Sequence, residues 1–219
     1  MAEKNANTWL DTPDPQVFIK NSAKFNDLMM MYRCTVREVR TKLEVLNDEF
    51  SLEYKRNPIS FIKTRIKKPE SIYAKLVRKG LDTDLQTARK KLNDLIGVRI
   101  VCLFLDDVYE VAQILKKQQD IKVIKEKDYI EKPKKNGYMS LHLIVDIPIY
   151  FNEESETKRV EIQIRTVAMD FWSVLEYQLL YKKNVKGADK VGKELKSYSD
   201  EIAALDQKML KLRNRIESI

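Results

Sequence analysis

A single histidine, His142, stands in the whole chain, so histidine-rich metal ligation is excluded. Cysteine is nearly as scarce. Cys34 and Cys102 are too few for a disulfide scaffold and lack metal-ligand spacing, which makes a reduced cytoplasm the expected location. No apolar run approaches the ~20 residues that span a bilayer, so a membrane partner is not expected. The first residues, MAEKNANTWLDTPDP, carry no apolar secretion segment. No glycine-rich Walker loop occurs either, so any phosphate must be held by side chains. Low-complexity linkers are missing as well.

What is present suits one folded domain with one appended element. At 219 residues, 43% hydrophobic and 34% charged, the chain can bury a real core and does not read as disordered. A net charge of +8 points to an anionic partner such as nucleotide, RNA or a membrane surface. The positive field is local: Lys55 to Lys79 holds nine Lys and Arg against one acid, Glu70.

Two segments carry an apolar repeat of alternating three- and four-residue steps. The first is Met29, Tyr32, Val36, Val39, Leu43, Leu46 and Phe50. The second is Ala188, Val191, Leu195, Tyr198, Ile202, Leu205, Met209, Leu212 and Ile216. Such seams favour helix-on-helix packing, either within the chain or between subunits. Between them, Lys68-Pro69-Glu70-Ser71 opens a helix that Gly80 stops, and Thr83 caps a second one reaching about Asp94. Strands are expected over 97–104, 121–130, 140–150 and 159–166, with helices from Asp106 or Asp107 to Gln118 and over 168–183. That order gives a mixed sheet covered by helices, an α+β or α/β layer fold.

Four constellations carry possible chemistry. In VEIQIRT, strand alternation puts Val160, Ile162 and Ile164 on one face and Glu161, Gln163 and Arg165 on the other. That polar face either meets solvent or lines a cleft. Asp94, beside Gly97, is either a turn residue or, paired with Glu161, a site for a hard cation such as Mg²⁺. Arg99 shares a strand face with apolar residues and invites a partner, for instance a flat base. Arg65, Lys67, Ser71 and Lys75 gather at one helix start and form either an anion site or a solvated basic face. The stretch KPKKNGYMSLHLIV runs from lysines through Asn136-Gly137 to an exposed aromatic, Tyr138, and then to His142. A hairpin turn needs Asn-Gly, but it needs neither the lysines nor the tyrosine.

The segments RIKKPESIYAKL, DLIGVRI, KPKKNGYMSLH and VEIQIRTVAMDFW, in this order, resemble the RelA/SpoT-type alarmone synthetase domain. The resemblance covers about Asn57 to Lys183. With the short length and flanking heptad helices, it is closest to the small stand-alone synthetases. It implies an α+β fold, a nucleotidyltransferase-like mixed β-sheet flanked by helices, with long N- and C-terminal helices. Residues 1–56 would form an N-terminal helical segment, 57–183 the catalytic domain and 184–219 an oligomerisation helix, in a homotetramer.

The resemblance also implies the chemistry, which is pyrophosphate transfer from ATP to the ribose 3′-hydroxyl of GDP or GTP, giving (p)ppGpp and AMP. Arg65 and Arg99 would flank the donor adenine, and Lys67, Ser71 and Lys75 would hold its phosphates. Asp94 would bind Mg²⁺, and Glu161 would join it or act as general base. Tyr138 would stack on the acceptor guanine, its hydroxyl secondary to its ring. Lys134 and Asn136 would contact acceptor phosphates and ribose, with Lys127 upstream, while His142 and Gln163 would complete the acceptor site. Two positions depart from the family pattern: Met139 follows Gly-Tyr where arginine is common, and Tyr177 follows Glu176 where histidine is common. One histidine cannot supply the family's hydrolase half, so a synthetase alone is expected. The alternative is a catalytically silent basic oligomer on the same scaffold that binds single-stranded RNA, with cations along the backbone and Tyr138 on a base.

Overall fold

The computed structural model describes residues 22–150, 155–181 and 188–219. The first 21 residues of the expected N-terminal segment and residues 182–183 of the expected helix lie outside the described residues, as does the side chain of Ala188. Helix α1 spans Ser22–Tyr54. Its heptad seam is internal: Tyr32, Val39, Leu43, Leu46 and Phe50 are buried in the same cluster as the sheet. Fully burying one such side chain contributes ~1.5–3 kcal/mol.

Strand β1 (Ile59–Ile66) follows, where sequence reasoning placed only a basic stretch. Its pairing shifts register between Ile59 and Phe61, and this bulge breaks the two-residue alternation by which a strand is read. Helix α2 (Pro69–Arg78) begins as expected, with Pro69 in its first turn. Gly80, at φ +63°, ends it, with the Leu81 N–H donating to the Leu76 carbonyl. Helix α3 (Leu85–Lys91) is shorter than expected, and its cap is Asp84 rather than Thr83. The Asp84 carboxylate accepts from both the backbone N–H and the hydroxyl of Thr87.

Strand β2 (Ile96–Cys102), helix α4 (Leu105–Lys117), strand β3 (Lys122–Asp128), strand β4 (Leu141–Tyr150) and strand β5 (Ser155–Thr166) complete the central layer. Helix α5 (Val167–Glu176) passes into a π-helical turn at Tyr177–Tyr181, and helix α6 covers Ala188–Glu217. The sheet order is β1-β2-β5-β4-β3, with β2 and β5 parallel and every other pair antiparallel. The fold is therefore α+β with a mixed five-stranded sheet. One face carries Val98, Ile100, Leu143, Val145, Ile162 and Ile164 and packs with residues of α1, α2 and α4 into one core. No helix among the described residues is long and apolar enough to cross a membrane.

Candidate active site

Direct cross-strand neighbours share a sheet face, so register alone assembles the polar side. One row runs Arg65–Gly97–Glu161, and the next runs Lys63–Arg99–Gln163–His142–Lys127. The alternation read from VEIQIRT is correct: Val160, Ile162 and Ile164 are fully buried, while Glu161 and Gln163 are half-buried on the opposite face. That face is a cleft, not a solvated surface.

At the β1 end, Lys63, Arg65, Gly97, Arg99 and Gln163 line a cavity of about 220 Å³. The Arg65 side chain lies directly over Gly97, where an added Cβ would sit 3.3 Å from its Cγ and Nε. Gly97 is thus the floor on which Arg65 rests. Arg99 has the partner its position called for: its Nη1 donates to Asp170 Oδ1 at 3.0 Å.

Below this cavity, Lys67 and Lys75 both donate to Asp94 Oδ2, at 2.8 and 2.6 Å. Burial alone would push the Asp94 carboxyl up, but the two ammonium groups hold it below the usual carboxylate range. Ser71 is exposed one turn before Lys75 on α2. Asp94 Oδ1 is buried and has no hydrogen-bond partner, and Asp94 is near enough to Glu161 to raise its carboxyl electrostatically. Two neighbouring carboxylates with one unused oxygen fit a hard cation. No cluster of three or more Asp, Glu, His or Cys able to hold a metal occurs among the described residues. A carboxylate pair with a free oxygen fits an ion such as Mg²⁺, which takes most of its ligands from substrate phosphates and water.

Toward β4, five side chains close a ring. Glu161 Oε1 lies 3.5 Å from His142 Nδ1, and His142 Nε2 lies 2.8 Å from the Tyr138 hydroxyl. Arg165 Nη2 donates to that hydroxyl at 2.7 Å and to Gln163 Oε1 at 2.6 Å, and Gln163 Nε2 donates to Glu161 Oε2 at 3.0 Å. One proton arrangement satisfies the ring: His142 is neutral, its Nδ1–H toward the carboxylate and its Nε2 accepting from Tyr138. Burial favours the neutral imidazole by pushing the His142 pKa down. Burial would raise Glu161, but the hydrogen bonds from His142 and Gln163 outweigh it and hold the carboxyl below its ordinary value.

Tyr138 is only half exposed, and its hydroxyl is not idle. Lys134 Nζ sits 4.5 Å from the centre of its ring and 4.6 Å from that of Tyr129, while the Arg165 guanidinium carbon lies 5.2 Å from the Tyr138 ring. Asn136 Oδ1 accepts from the Tyr138 backbone N–H at 3.2 Å. Lys127 is exposed at the β3 edge, opposite His142. Met139, where the family pattern commonly has arginine, is buried.

The structure thus gathers Asp94, Lys67, Lys75, Arg65 and Arg99 on one side, and Tyr138, His142, Gln163 and Lys134 on the other, with Glu161 between. Sequence reasoning did not assign Lys63, Arg165 or Asp170. Arg165 was visible as the third polar residue of VEIQIRT. The buried Asp170, which pairs with Arg99 and lies 3.6 Å from Arg165, carried no signal beyond being an acid in a helix's first turn.

Comparison with known proteins agrees with this geometry. Residues 64–186 match the model of a region found in RelA / SpoT proteins. The chain is 39% identical to GTP pyrophosphokinase YwaC of Bacillus subtilis, over 86% of this chain and 90% of that protein. It is 34% identical to GTP pyrophosphokinase YjbM of the same organism, over 86% and 88%. The crystal structure of small alarmone synthetase 1 from Bacillus subtilis bound to its product pppGpp superposes with a TM-score of 0.79 at 32% identity, covering 89% of this chain and 98% of that one. With more than half its length matched and its fold shared, the chain belongs to the family defined by the RelA / SpoT region.

Proposed function

We propose that this protein is a (p)ppGpp synthetase without a hydrolase, transferring pyrophosphate from ATP to the ribose 3′-hydroxyl of GDP or GTP and releasing AMP. The observation that carries the reading is Glu161, set between an arginine-walled cleft and an aromatic turn, with the half-satisfied Asp94 beside it. Two nucleotides laid from either side would bring donor β-phosphorus and acceptor hydroxyl together over these carboxylates. The relatives named above carry this activity in their names, and the product-bound relative holds pppGpp.

In the step itself, the 3′-hydroxyl gives up its proton, to Glu161 as base or to water. Its oxygen forms a bond to the β-phosphorus, the bond from that phosphorus to the α,β-bridging oxygen breaks, and that electron pair leaves with AMP. Such transfers depend mainly on alignment and charge stabilisation. Arg65 and Arg99 would sandwich the adenine, and Lys67, Lys75 and Ser71 would take its phosphates. Lys67 and Lys75 are already poised, because phosphate oxygens can replace Asp94 Oδ2 as their acceptor. Asp94 and Glu161 would hold Mg²⁺, which when bound neutralises charge on the transferred group. As the alternative to holding the ion, Glu161 would act as general base on the 3′-hydroxyl. On the acceptor side, guanine stacking on Tyr138 would displace the exposed Lys134 from the ring and free its ammonium for phosphates. Gln163 and His142 would orient the ribose, Asn136 would reach it from the turn, and Lys127 would extend the cationic edge.

The catalytic work would then lie in residues 57–183, in the cytoplasm, with 184–219 building a homotetramer. The silent RNA-binding alternative has no support among the relatives, which are named as GTP pyrophosphokinases. A direct assay tests the reading: purified protein, Mg²⁺, ATP labelled in its β-phosphate, and GDP or GTP, resolved by chromatography. Label should move to the guanine nucleotide as AMP appears. No transfer to either acceptor would refute it.

A further inference from the structure

The turn bearing Lys134, Asn136 and Tyr138 is closed by its own backbone. The Gly137 N–H donates to the Lys134 carbonyl at 2.8 Å, and the Lys134 N–H donates to the Tyr138 carbonyl at 3.1 Å. Two helices outside the sheet then fasten it. From α5, Glu176 Oε1 accepts from Asn136 Nδ2 at 3.1 Å. From α6, the Ser199 hydroxyl donates to the Gly137 carbonyl. Ser199 is 1% exposed, so this bond satisfies a hydroxyl that water does not reach.

Gly137 meets two separate demands. Its φ is +93°, a backbone state that side chains disfavour. An added Cβ would also lie 2.8 Å from Ser199 Cβ and 3.1 Å from Lys196 Cδ. The turn therefore touches α6 at its backbone, with no side chain between. That helix is itself held: Trp172 Nε1 donates to the Leu195 carbonyl at 2.7 Å, and Thr166 Oγ1 donates to Asp206 Oδ2 at 2.6 Å.

We propose that the C-terminal helix is a working part of the acceptor site, with Ser199 as a positioning residue that fixes the Lys134–Tyr138 turn for the guanine nucleotide. The inference rests on the pyrophosphate-transfer reading and extends it to a residue beyond the catalytic segment. Without the Ser199 bond, a buried carbonyl loses its partner and the turn keeps only its Asn136 and Tyr138 anchors. Ordering the turn must then be done by the nucleotide, which weakens acceptor binding. Of the donor residues, Arg65 on β1 stands at the far end of the strand order from the turn, and Arg99 on β2 has β5 between it and β4. ATP use is therefore expected to respond far less than acceptor use.

Steady-state kinetics and thermal melts on the full chain test this. Ser199→Ala is expected to raise the acceptor KM about three- to tenfold, the range for one lost buried hydrogen bond. The ATP KM should stay near wild type, and the melting temperature should fall by no more than a few degrees, the cost of one unsatisfied buried carbonyl. Gly137→Ala should give a larger shift of the same kind. An unchanged acceptor KM in Ser199→Ala, or equal rises for ATP and acceptor, would overturn the proposal. Ser199→Cys, nearly isosteric with a weaker donor, supplies the same readout if alanine loosens α6. Should wild type transfer no pyrophosphate at all, the functional reading fails instead. GDP binding by calorimetry then decides for Ser199: a weakened Kd in the variant supports its role, and an equal Kd ends it.

Discussion

Glu161 has both oxygens committed, one facing His142 and one accepting from Gln163, and its backbone lies opposite Gly97. A charge so held costs little reorganisation when cations arrive, which is what electrostatic stabilisation of a phosphoryl transfer requires. Glu161→Gln keeps the volume and removes the charge. Transfer should fall by at least about 10²-fold with an unchanged circular dichroism spectrum. Near-normal turnover would remove Glu161 from the mechanism. Tyr138 needs a finer test, because its ring and its hydroxyl have separate duties. Tyr138→Phe keeps a face for stacking but takes a partner from both His142 Nε2 and Arg165 Nη2. Its acceptor KM should rise severalfold, in line with ~1 kcal/mol for a lost hydrogen bond. Tyr138→Ala also loses the stack, and its acceptor KM should rise about ten- to hundredfold. ATP affinity should hold in both variants, and an unchanged acceptor KM in the alanine variant would show that nothing stacks there. The sequence made the polar face of VEIQIRT legible because strand alternation is local. It could not show the ring, since Tyr138 and Arg165 are 27 positions apart, nor Asp170, which meets Arg99 across 71.

Four of the five strands were legible as apolar runs between turn signals, and the fifth was not. β1 is an edge strand whose bulge at Ile59/Phe61 breaks its alternation, and its Lys63 and Arg65 read as part of a basic patch. The missed strand matters, because it puts Arg65 opposite Gly97 and Lys63 opposite Arg99 and so builds one wall of the arginine-lined cleft. The π-helical turn after α5 was illegible for another reason: the residues of a π-turn have the same composition as those of an α-helix. Gly97 tests the β1–β2 contact. Its buried backbone accepts the Arg65 side chain at a distance that a methyl group would contest. Gly97→Ala should push the Arg65 side chain off its resting place over Gly97 and raise the ATP KM severalfold, while the acceptor KM stays put. A normal ATP KM in that variant would mean that Arg65 adjusts freely and does not help to clamp the adenine.

At the scale of the molecule, two seams with the same repeat have opposite fates. Along α1 the repeat is consumed by the core. Of the described seam residues on α6 only Leu195 is buried, while Tyr198, Leu205, Met209, Leu212 and Ile216 are 39–61% exposed. A heptad pattern says that a helix wants an apolar partner, but not whether that partner is its own sheet or another chain. The stripe continues onto α5, where Phe171 and Leu175 join Tyr198, Ile202 and Leu205 around a groove of about 700 Å³. A contiguous apolar surface of this kind is the expected footprint of a partner, and a second copy offers the same stripe in return. The mass of the wild type in solution should therefore exceed the 25.8 kDa of one chain. Replacing both Leu205 and Met209 with Glu puts like charges where the seam must be dry, which costs several kcal/mol if both are buried unpaired. Light scattering should then show the double variant near 25.8 kDa, with its far-ultraviolet spectrum unchanged because neither residue belongs to the core. If wild type and variant both scatter as single chains, the α6 stripe is not a subunit interface, and the assembly proposed for residues 184–219 fails.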